Sequence, residues 1–386
     1  MSQSRSNLLD LLREAPAEKI KSLPDVDYGQ ADVEPFPFLA IVGQDEMKLA
    51  LILSIINPRV GGVLLIGPRG TAKTTAVRAL TDLLPQVQRS LCVHGCSEEM
   101  LDEGGVDALC KDCARKVGYG QPLTVQDRVR IVELPLNARL EDVVGGINER
   151  VALEQQRVRL ERGILGHADG QVLYIDEVNL LDDVITDAIL DAAAQGHYTV
   201  RRGPLKLRYR SRLLLIGSMN PEEGRLRPQL MDRFGLRAIV RGLLDPDLRY
   251  QAYEQSLAYS LNPERLAASY AQATMALAQE IQQARQRLPF VTVADDAREL
   301  GLKLIRTLGI DSNRAEITLF ETARAHAAAD DRAEATAGDV QVVALLALRQ
   351  RQSPALDRFF QEQEAEDARM RAVYESSFEE NVKRDT

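Results

Sequence analysis

The chain has 386 residues, enough for two domains and a sizeable core, and its 45% apolar and 27% charged residues are ordinary for a soluble globular protein. A net charge of −9 argues against a broad nucleic-acid-binding surface, so no nucleic-acid partner is expected. No apolar run is long enough to cross a bilayer and Met1–Asp10 lacks the apolar stretch of a secretory leader, which points to a cytoplasmic protein without a membrane span.

Residues 1–36 form a tail. Leu8, Leu9, Leu11, Leu12 and Ile20 have the spacing of one short amphipathic helix, with a plain flexible extension as the competing reading, and Pro24–Pro37 is an acidic linker. From 37 to 244 short apolar strands alternate with helical patterns. The predicted strands are Val63–Ile66, Val129–Leu134, Val172–Ile175 and Leu213–Ile216. Such alternation predicts an α/β domain whose parallel sheet is covered on both faces. An insertion at 92–113 carries all four cysteines, with Ser97–Ala108 polar and loop-like between them. Asp245-Pro246 has the composition of a hinge. Beyond it, residues 245–351 become alanine-rich, with predicted helices at Pro263–Leu288, Ala297–Thr307, Arg314–Ala329 and Gly338–Gln350, the pattern of a small all-helical domain. Residues 352–386 are a charged tail.

Chemistry is concentrated at three strand ends. Gly67-Pro68-Arg69-Gly70-Thr71-Ala72-Lys73-Thr74 follows the first strand and opens a helix, the context a phosphate-binding loop requires. Lys73 is expected to reach the β- and γ-phosphates and the Thr74 hydroxyl to bind Mg²⁺. Ala72 stands where a second glycine is usual, which is tolerable if its φ is negative. Val172–Ile175 ends in Asp176-Glu177: Asp176 can hold Mg²⁺ through water, and Glu177 can polarise an attacking water. The third strand leads to Asn220, whose amide can orient that water, the alternative being a turn-capping Asn. The Asn-Lys-x-Asp guanine signature is absent, so ATP is expected over GTP.

Cys92 and Cys96 form a C-x3-C pair and Cys110 and Cys113 a C-x2-C pair. Four thiolates at such spacing can make a zinc site, with His94 as a spare donor, while a redox dithiol or simply reduced thiols remain the alternatives.

These features resemble AAA+ ATPases, and the longer motifs narrow the resemblance. Phe38–Leu51, Asp176–Asp183, Asn220–Gly224 and Leu226–Phe234 are similar to signatures of the magnesium chelatase ATPase subunit, with the likeness running from Phe38 to about Gln350. The resemblance implies an AAA+ P-loop domain followed by a helical lid, with a hairpin at Tyr198–Val200 and Leu205–Tyr209 before the third motif strand and a helix-2 insert at Gly145–Gly166. It implies ATP and Mg²⁺ as ligands, with Val42, Gly43 and the loop from Gly67 to Thr75 around the nucleotide. Asn220 takes a sensor-1 position, Arg233 that of an arginine finger offered to a neighbouring subunit, and Arg314 that of a sensor-2 arginine. The implied partners are further copies in a ring, commonly a hexamer, a second AAA+ subunit with an integrin-like domain, and a large porphyrin-binding subunit. The implied activity is ATP-driven insertion of Mg²⁺ into protoporphyrin IX on the route to (bacterio)chlorophyll. A MoxR-type remodelling ATPase with an integrin-domain partner and another client is the alternative, and a non-hydrolysing ring subunit a third. Ala72, Asn137-Ala138-Arg139, Asn313–Glu316 and the long N-terminal tail depart from the family's wording.

Overall fold

The structure, a computed structural model, describes residues 34–92, 95–146, 162–202, 205–224 and 226–351. Most of the N-terminal tail, His94, most of the 145–166 stretch, the Gly203-Pro204 turn and the charged C-terminal tail lie outside the described residues.

Five parallel strands make the main sheet. They are β1 (Val63–Ile66), β4 (Ile131–Leu134), β5 (Val172–Ile175), β8 (Leu214–Met219) and β9 (Leu236–Ile239), in the order β4-β5-β8-β1-β9. Two antiparallel pairs form locally, β2 (Gln86–Ser90) with β3 (Thr124–Arg128) and β6 (His197–Arg202) with β7 (Leu205–Arg210), and a short parallel pair joins Thr292–Val293 to Glu334–Ala335 in the helical region. Strand residues alternate between two cores, as a period of two requires. Val63, Leu65, Val172 and Tyr174 enter one, while Leu64, Ile66, Leu173 and Ile175 enter the other. The first core is covered by the helices Asp45–Ile56, Pro263–Arg287, Arg314–Ala329 and Ala337–Leu348, and the second by Asp183–Gln195.

The helices follow from their sequences. Asp45–Ile56 buries every residue from Met47 to Ile56, as an all-round apolar helix must. Pro263–Arg287 has Pro at its first turn, the Asn262 side chain accepting from the Arg265 amide at 2.9 Å, and Leu266, Tyr270, Leu277, Ile281 and Ala284 on one buried face. Ala337–Leu348 starts in a capping box between Thr336 and Asp339.

Several expectations are corrected. β4 starts at Ile131, not Val129, and β8 runs on to Met219, so Ser218 belongs to the strand. Asp245-Pro246, expected as a hinge, stands at a helix start. Asp245 caps a 16-residue helix, Pro246–Leu261, by accepting from the Asp247 amide at 2.9 Å. The stretch Ser97–Ala108 is helical: Glu98–Gly104 and then a short 3-10 turn, Val106–Ala108. Glu98 and Glu99 favour that helix start electrostatically, and Glu98 also accepts from the Leu123 and Thr124 amides at 2.9 and 3.1 Å. The hairpin implied by the resemblance is β6–β7, directly before β8.

Candidate nucleotide site

Strand order reverses around β1, the strand with neighbours from later in the chain on both sides, and the crevice beyond the strand ends is where such sheets bind ligands. Ile66 lies opposite Met219, and Ile175 opposite Gly217, so β1 and β8 end together and β5 ends two residues short of them, which brings Asp176 and Glu177 alongside the end of β8. The loop after β1 is tightly held. The Gly67 amide donates to Met219 O at 3.1 Å, and a Cβ on Gly67 would meet Val240 O at 2.0 Å, so only glycine fits there. Gly70 has φ +76° and Ala72 φ +66°. The condition set for Ala72 is therefore not met. The turn into the Lys73–Arg78 helix needs a left-handed residue, and alanine adopts it at a cost of about 1–2 kcal/mol.

Lys73 is buried, and its ammonium donates to Gly67 O at 2.7 Å and Pro68 O at 2.8 Å. Burial lowers its pKa, opposed by Asp176, Glu177 and Glu223. The Thr71 hydroxyl donates to Pro68 O at 2.9 Å. Gly67 and Pro68 thus act through their carbonyls, while Arg69, Gly70, Thr71, Ala72, Lys73, Thr74, Thr75, Asp176, Glu177, Ser218 and Asn220 line a cleft of about 210 Å³. In that cleft the Thr74 hydroxyl donates to Asp176 Oδ2 at 3.1 Å, and Tyr174 OH donates to Oδ1 at 2.9 Å. The Ser218 hydroxyl also donates to Oδ1. Burial alone would raise the Asp176 pKa. The hydrogen bonds from Ser218, Tyr174 and Thr74, with the charge of Lys73, outweigh it and hold the carboxyl below its ordinary range.

Glu177 follows at φ +51°, its amide donating to Ser218 Oγ at 3.0 Å. Its carboxylate meets Arg69 at 3.2 Å, and Arg69 also meets Glu223 at 2.6 Å. Asn220 caps its own turn, Oδ1 accepting from the Glu222 amide at 3.2 Å, and its amide nitrogen donates to Glu223 at 3.1 Å.

Beside the cleft lies a larger cavity of about 830 Å³ that shares Gly70, Thr71, Ala72, Thr74 and Thr75. Its walls include Ile41, Val42, Gly242, Leu243, Arg78 and, from the Pro246–Leu261 helix, Arg249, Ala252, Gln255, Ser256 and Tyr259. Gly43 does not line it. At φ +61°, Gly43 turns the chain where a Cβ would strike Leu243 Cδ2 at 2.8 Å.

Two expected residues sit elsewhere. Arg233 pairs with Asp191 of the Asp183–Gln195 helix, and it lines neither space. Arg314 also lines neither; it stands 3.9 Å from Asp232. Sequence reasoning missed Ser218, although it shares a strand face with Asn220 two residues on. It also missed Tyr174, Arg249 and Tyr259.

The four cysteines lie together, around a small core of Cys96, Cys113 and Leu123, and none of them lines this cleft. A second acidic cluster, His326, Asp330 and Asp339, is bridged by the Arg332 guanidinium and is an ion-pair network of the helical region.

A phosphate loop at the switch point of a β4-β5-β8-β1-β9 sheet, an acidic pair at the end of β5, a polar residue at the end of β8 and a following helical region define an AAA+ ATPase. The AAA lid domain family matches residues 299–373. A magnesium-chelatase subunit ChlI homolog from Methanocaldococcus jannaschii is 43% identical over 321 residues, 83% of this chain and 86% of that protein. Magnesium-chelatase subunit ChlI of Synechocystis is 41% identical over 317 residues, 82% of this chain and 88% of that one. The chain belongs to the magnesium-chelatase ChlI family. Among solved structures, a chain from a cryo-EM-based assembly of magnesium chelatase subunits BchI and BchD is 35% identical, covering 84% of this chain and 99% of its own, at a TM-score of 0.46. A crystal structure described as an ATPase from Cytophaga hutchinsonii shares the fold at 18% identity and a TM-score of 0.51, covering 81% of this chain and 83% of its own.

Proposed function

We propose that this chain is the ATP-hydrolysing motor subunit of a magnesium chelatase, driving Mg²⁺ into protoporphyrin IX for (bacterio)chlorophyll synthesis. The observation that carries the reading is the meeting of Thr74 and Asp176 oxygens at 3.1 Å beside a buried Lys73, in a chain 43% identical over most of its length to a ChlI homolog.

The donor set fits ATP with Mg²⁺. A hydroxyl and a carboxylate held below its ordinary pKa offer hard oxygens, and Gly67 and Gly70 keep the loop free of side chains. Mg²⁺, when bound, neutralises charge on the β- and γ-phosphates. Thr74 and Asp176 are the residues that would hold it. Lys73 would turn its ammonium from the Gly67 and Pro68 carbonyls to the phosphate oxygens. Glu177 would leave the exposed Arg69 and accept a proton from the attacking water, with Asn220 orienting that water. The Arg69 side of this pair is solvent-exposed, so water screens it and Glu177 is readily released. The larger cavity beside the loop, walled by Val42, Leu243 and Tyr259, is the place for base and ribose.

Arg233 would act on a neighbouring subunit's nucleotide, since its own-chain partner is Asp191. Arg314, beside Asp232, would face the same boundary. The working assembly is a cytoplasmic ring, hexameric by family habit, joined by an AAA+ subunit with an integrin-like domain and a large porphyrin-binding subunit. Among the described residues no helix is long and apolar enough to cross a membrane.

The test has two arms. Glu177→Gln is expected to bind ATP but hydrolyse it poorly, and Arg233→Ala mixed with Lys73→Ala to regain activity through interfaces that pair an intact loop with an intact finger. Magnesium-protoporphyrin formation is then followed with the two partner subunits. Normal turnover by Glu177→Gln rejects the site assignment. Intact ATPase without magnesium insertion rejects the client.

A further inference from the structure

Between β2 and β3 the chain leaves the sheet and returns, and the sequence of this excursion places two cysteines on each side of a short helix. Cys92 and Cys96 precede Glu98–Gly104. Cys110 is the residue before the Lys111–Gly118 helix, and Cys113 lies in its first turn. Folding brings the four sulfurs together, all within 4.8 Å of one another. A tetrahedral site with Zn–S near 2.3 Å has sulfurs about 3.8 Å apart, so small side-chain rotations close this cluster on one ion. A disulfide would draw two sulfurs to about 2 Å and leave the others aside, and none of the four is so bonded.

Backbone and hydroxyl donors point at two of the sulfurs. The Cys96 amide donates to Cys92 Sγ at 3.3 Å, the Cys110 amide donates to Cys96 Sγ at 3.3 Å, and the Ser90 hydroxyl reaches Cys92 Sγ at 3.6 Å. Such bonds orient metal-bound sulfurs and offset their charge. An all-sulfur donor set selects zinc over Mg²⁺. The fold also needs a staple here. Among the described residues the only buried apolar side chain in this core besides Cys96 and Cys113 is Leu123, with Leu109 and Val117 partly covered. A core that small does not hold two helices in place by apolar burial alone.

We propose that Cys92, Cys96, Cys110 and Cys113 bind one Zn²⁺ as a tetrathiolate structural site that fastens the β2–β3 insertion. Binding replaces four S–H bonds with four Zn–S bonds and releases four protons to solvent, with no change of oxidation state. The site is independent of the nucleotide cleft. It sets the insertion against the β6–β7 hairpin, where Arg210 donates to Ser97 Oγ at 3.4 Å and Arg212 approaches Glu99 at 4.0 Å.

The full-length, untagged chain, purified anaerobically without chelators, is expected to carry one zinc per chain by elemental mass spectrometry. Cys110→Ser should lose it. If that variant does not fold, wild-type protein stripped by a chelator and refilled with Co²⁺ supplies the same answer. Tetrahedral thiolate cobalt gives intense visible bands and sulfur-to-metal charge transfer. In the stripped protein, trypsin should cut faster at Lys111, Arg115 and Lys116, while nucleotide binding persists. Protein without zinc and without the cobalt spectrum overturns the proposal, as does a Cys–Cys disulfide found by mass mapping. Iron in place of zinc overturns the choice of metal.

Discussion

Replacing Lys48 with methionine should stabilise this protein at neutral pH. Lys48 lies on the Asp45–Ile56 helix with only 2% of its surface exposed. Burial lowers its pKa from 10.5 to about 8, with Asp45 opposing the shift. Below pH 8 the lysine is charged in both the folded and unfolded chains, and the folded chain bears the full penalty of a buried ammonium. Between pH 8 and 10.5 the unfolded chain holds the proton that the folded one has released, so stability rises with pH. Above 10.5 both are neutral and the penalty has gone. The shift corresponds to a penalty on the order of 3 kcal/mol. Methionine keeps the length of the chain and removes the charge, with about 1 kcal/mol set against it for imperfect packing. The expected gain is about 1–3 kcal/mol at pH 7, shrinking as pH rises through 8 towards 10.5. Urea unfolding of both proteins at several pH values measures it. A Lys48→Met protein no more stable at pH 7, or with a gain constant across that range, refutes the reasoning.

Ala72→Gly should be neutral to stabilising by about 1 kcal/mol in thermal unfolding, because relief of about 1–2 kcal/mol of left-handed strain is offset by about 0.4–1 kcal/mol from the freer unfolded chain; a loss above about 1 kcal/mol would mean the methyl packs productively. Asp339→Asn should cost about 1–3 kcal/mol by removing a buried carboxylate that Arg332 and His326 both meet, Arg332 being partly exposed and keeping its pair with Asp330. Burial would raise the Asp339 pKa, but hydrogen bonds from Arg332 and His326 hold it well below the carboxylate range, so its contribution is full above the ordinary carboxylate pKa and fades on acidification. The variant should therefore lose less stability than wild type between pH 5 and 3 in denaturant titrations, and parallel acid limbs would contradict this.

The legible parts of the fold were those where one short segment carries its own signal. β1 and β5 are unbroken apolar runs ending in chemistry, and their bounds follow directly. β9 escaped because Arg237 interrupts its apolar run. That side chain is 1% exposed and donates to the carbonyls of Met231 and Arg349, partners far apart in sequence. The Pro246–Leu261 helix escaped because it buries none of its residues and so shows no apolar stripe. Its cavity-facing side is instead Arg249, Ala252, Gln255, Ser256 and Tyr259, spaced as one helical face. The Ala72 expectation failed since backbone sign at a turn is set by the strand and helix it joins. The cysteine spacing announced a cluster, but only folding shows that all four sulfurs share one centre.

Arg233 and Arg314, proposed above to act at a subunit boundary, adjoin a buried knot that no local motif announces. Asp232 accepts from Arg351 at 2.7 Å and from Ser312 at 3.2 Å, with Arg314 and Arg237 each at 3.9 Å. Arg351 and Arg237 are almost wholly buried, and one carboxylate does not neutralise both. Backbone takes further donors: Arg351 gives to Ala347 O and Gly235 O, and Arg237 to Met231 O and Arg349 O, while Arg237 Nε is buried without a partner. Burial lowers the pKa of each guanidinium, for Arg237 to about 10, yet both stay charged at neutral pH. The knot ties the main chain at Asp232 to the edge strand β9, to the end of the last described helix and to the start of the Arg314–Ala329 helix. Arg233, the next residue, has its backbone fixed by this arrangement while its side chain is held only by the exposed Asp191. Redirecting such a surface pair costs about 1 kcal/mol or less, whereas breaking the knot costs several. Movement of the helical region would therefore carry Arg233 with it as a body, and in the proposed ring the guanidinium would exchange Asp191 for a stronger anion on a neighbouring subunit.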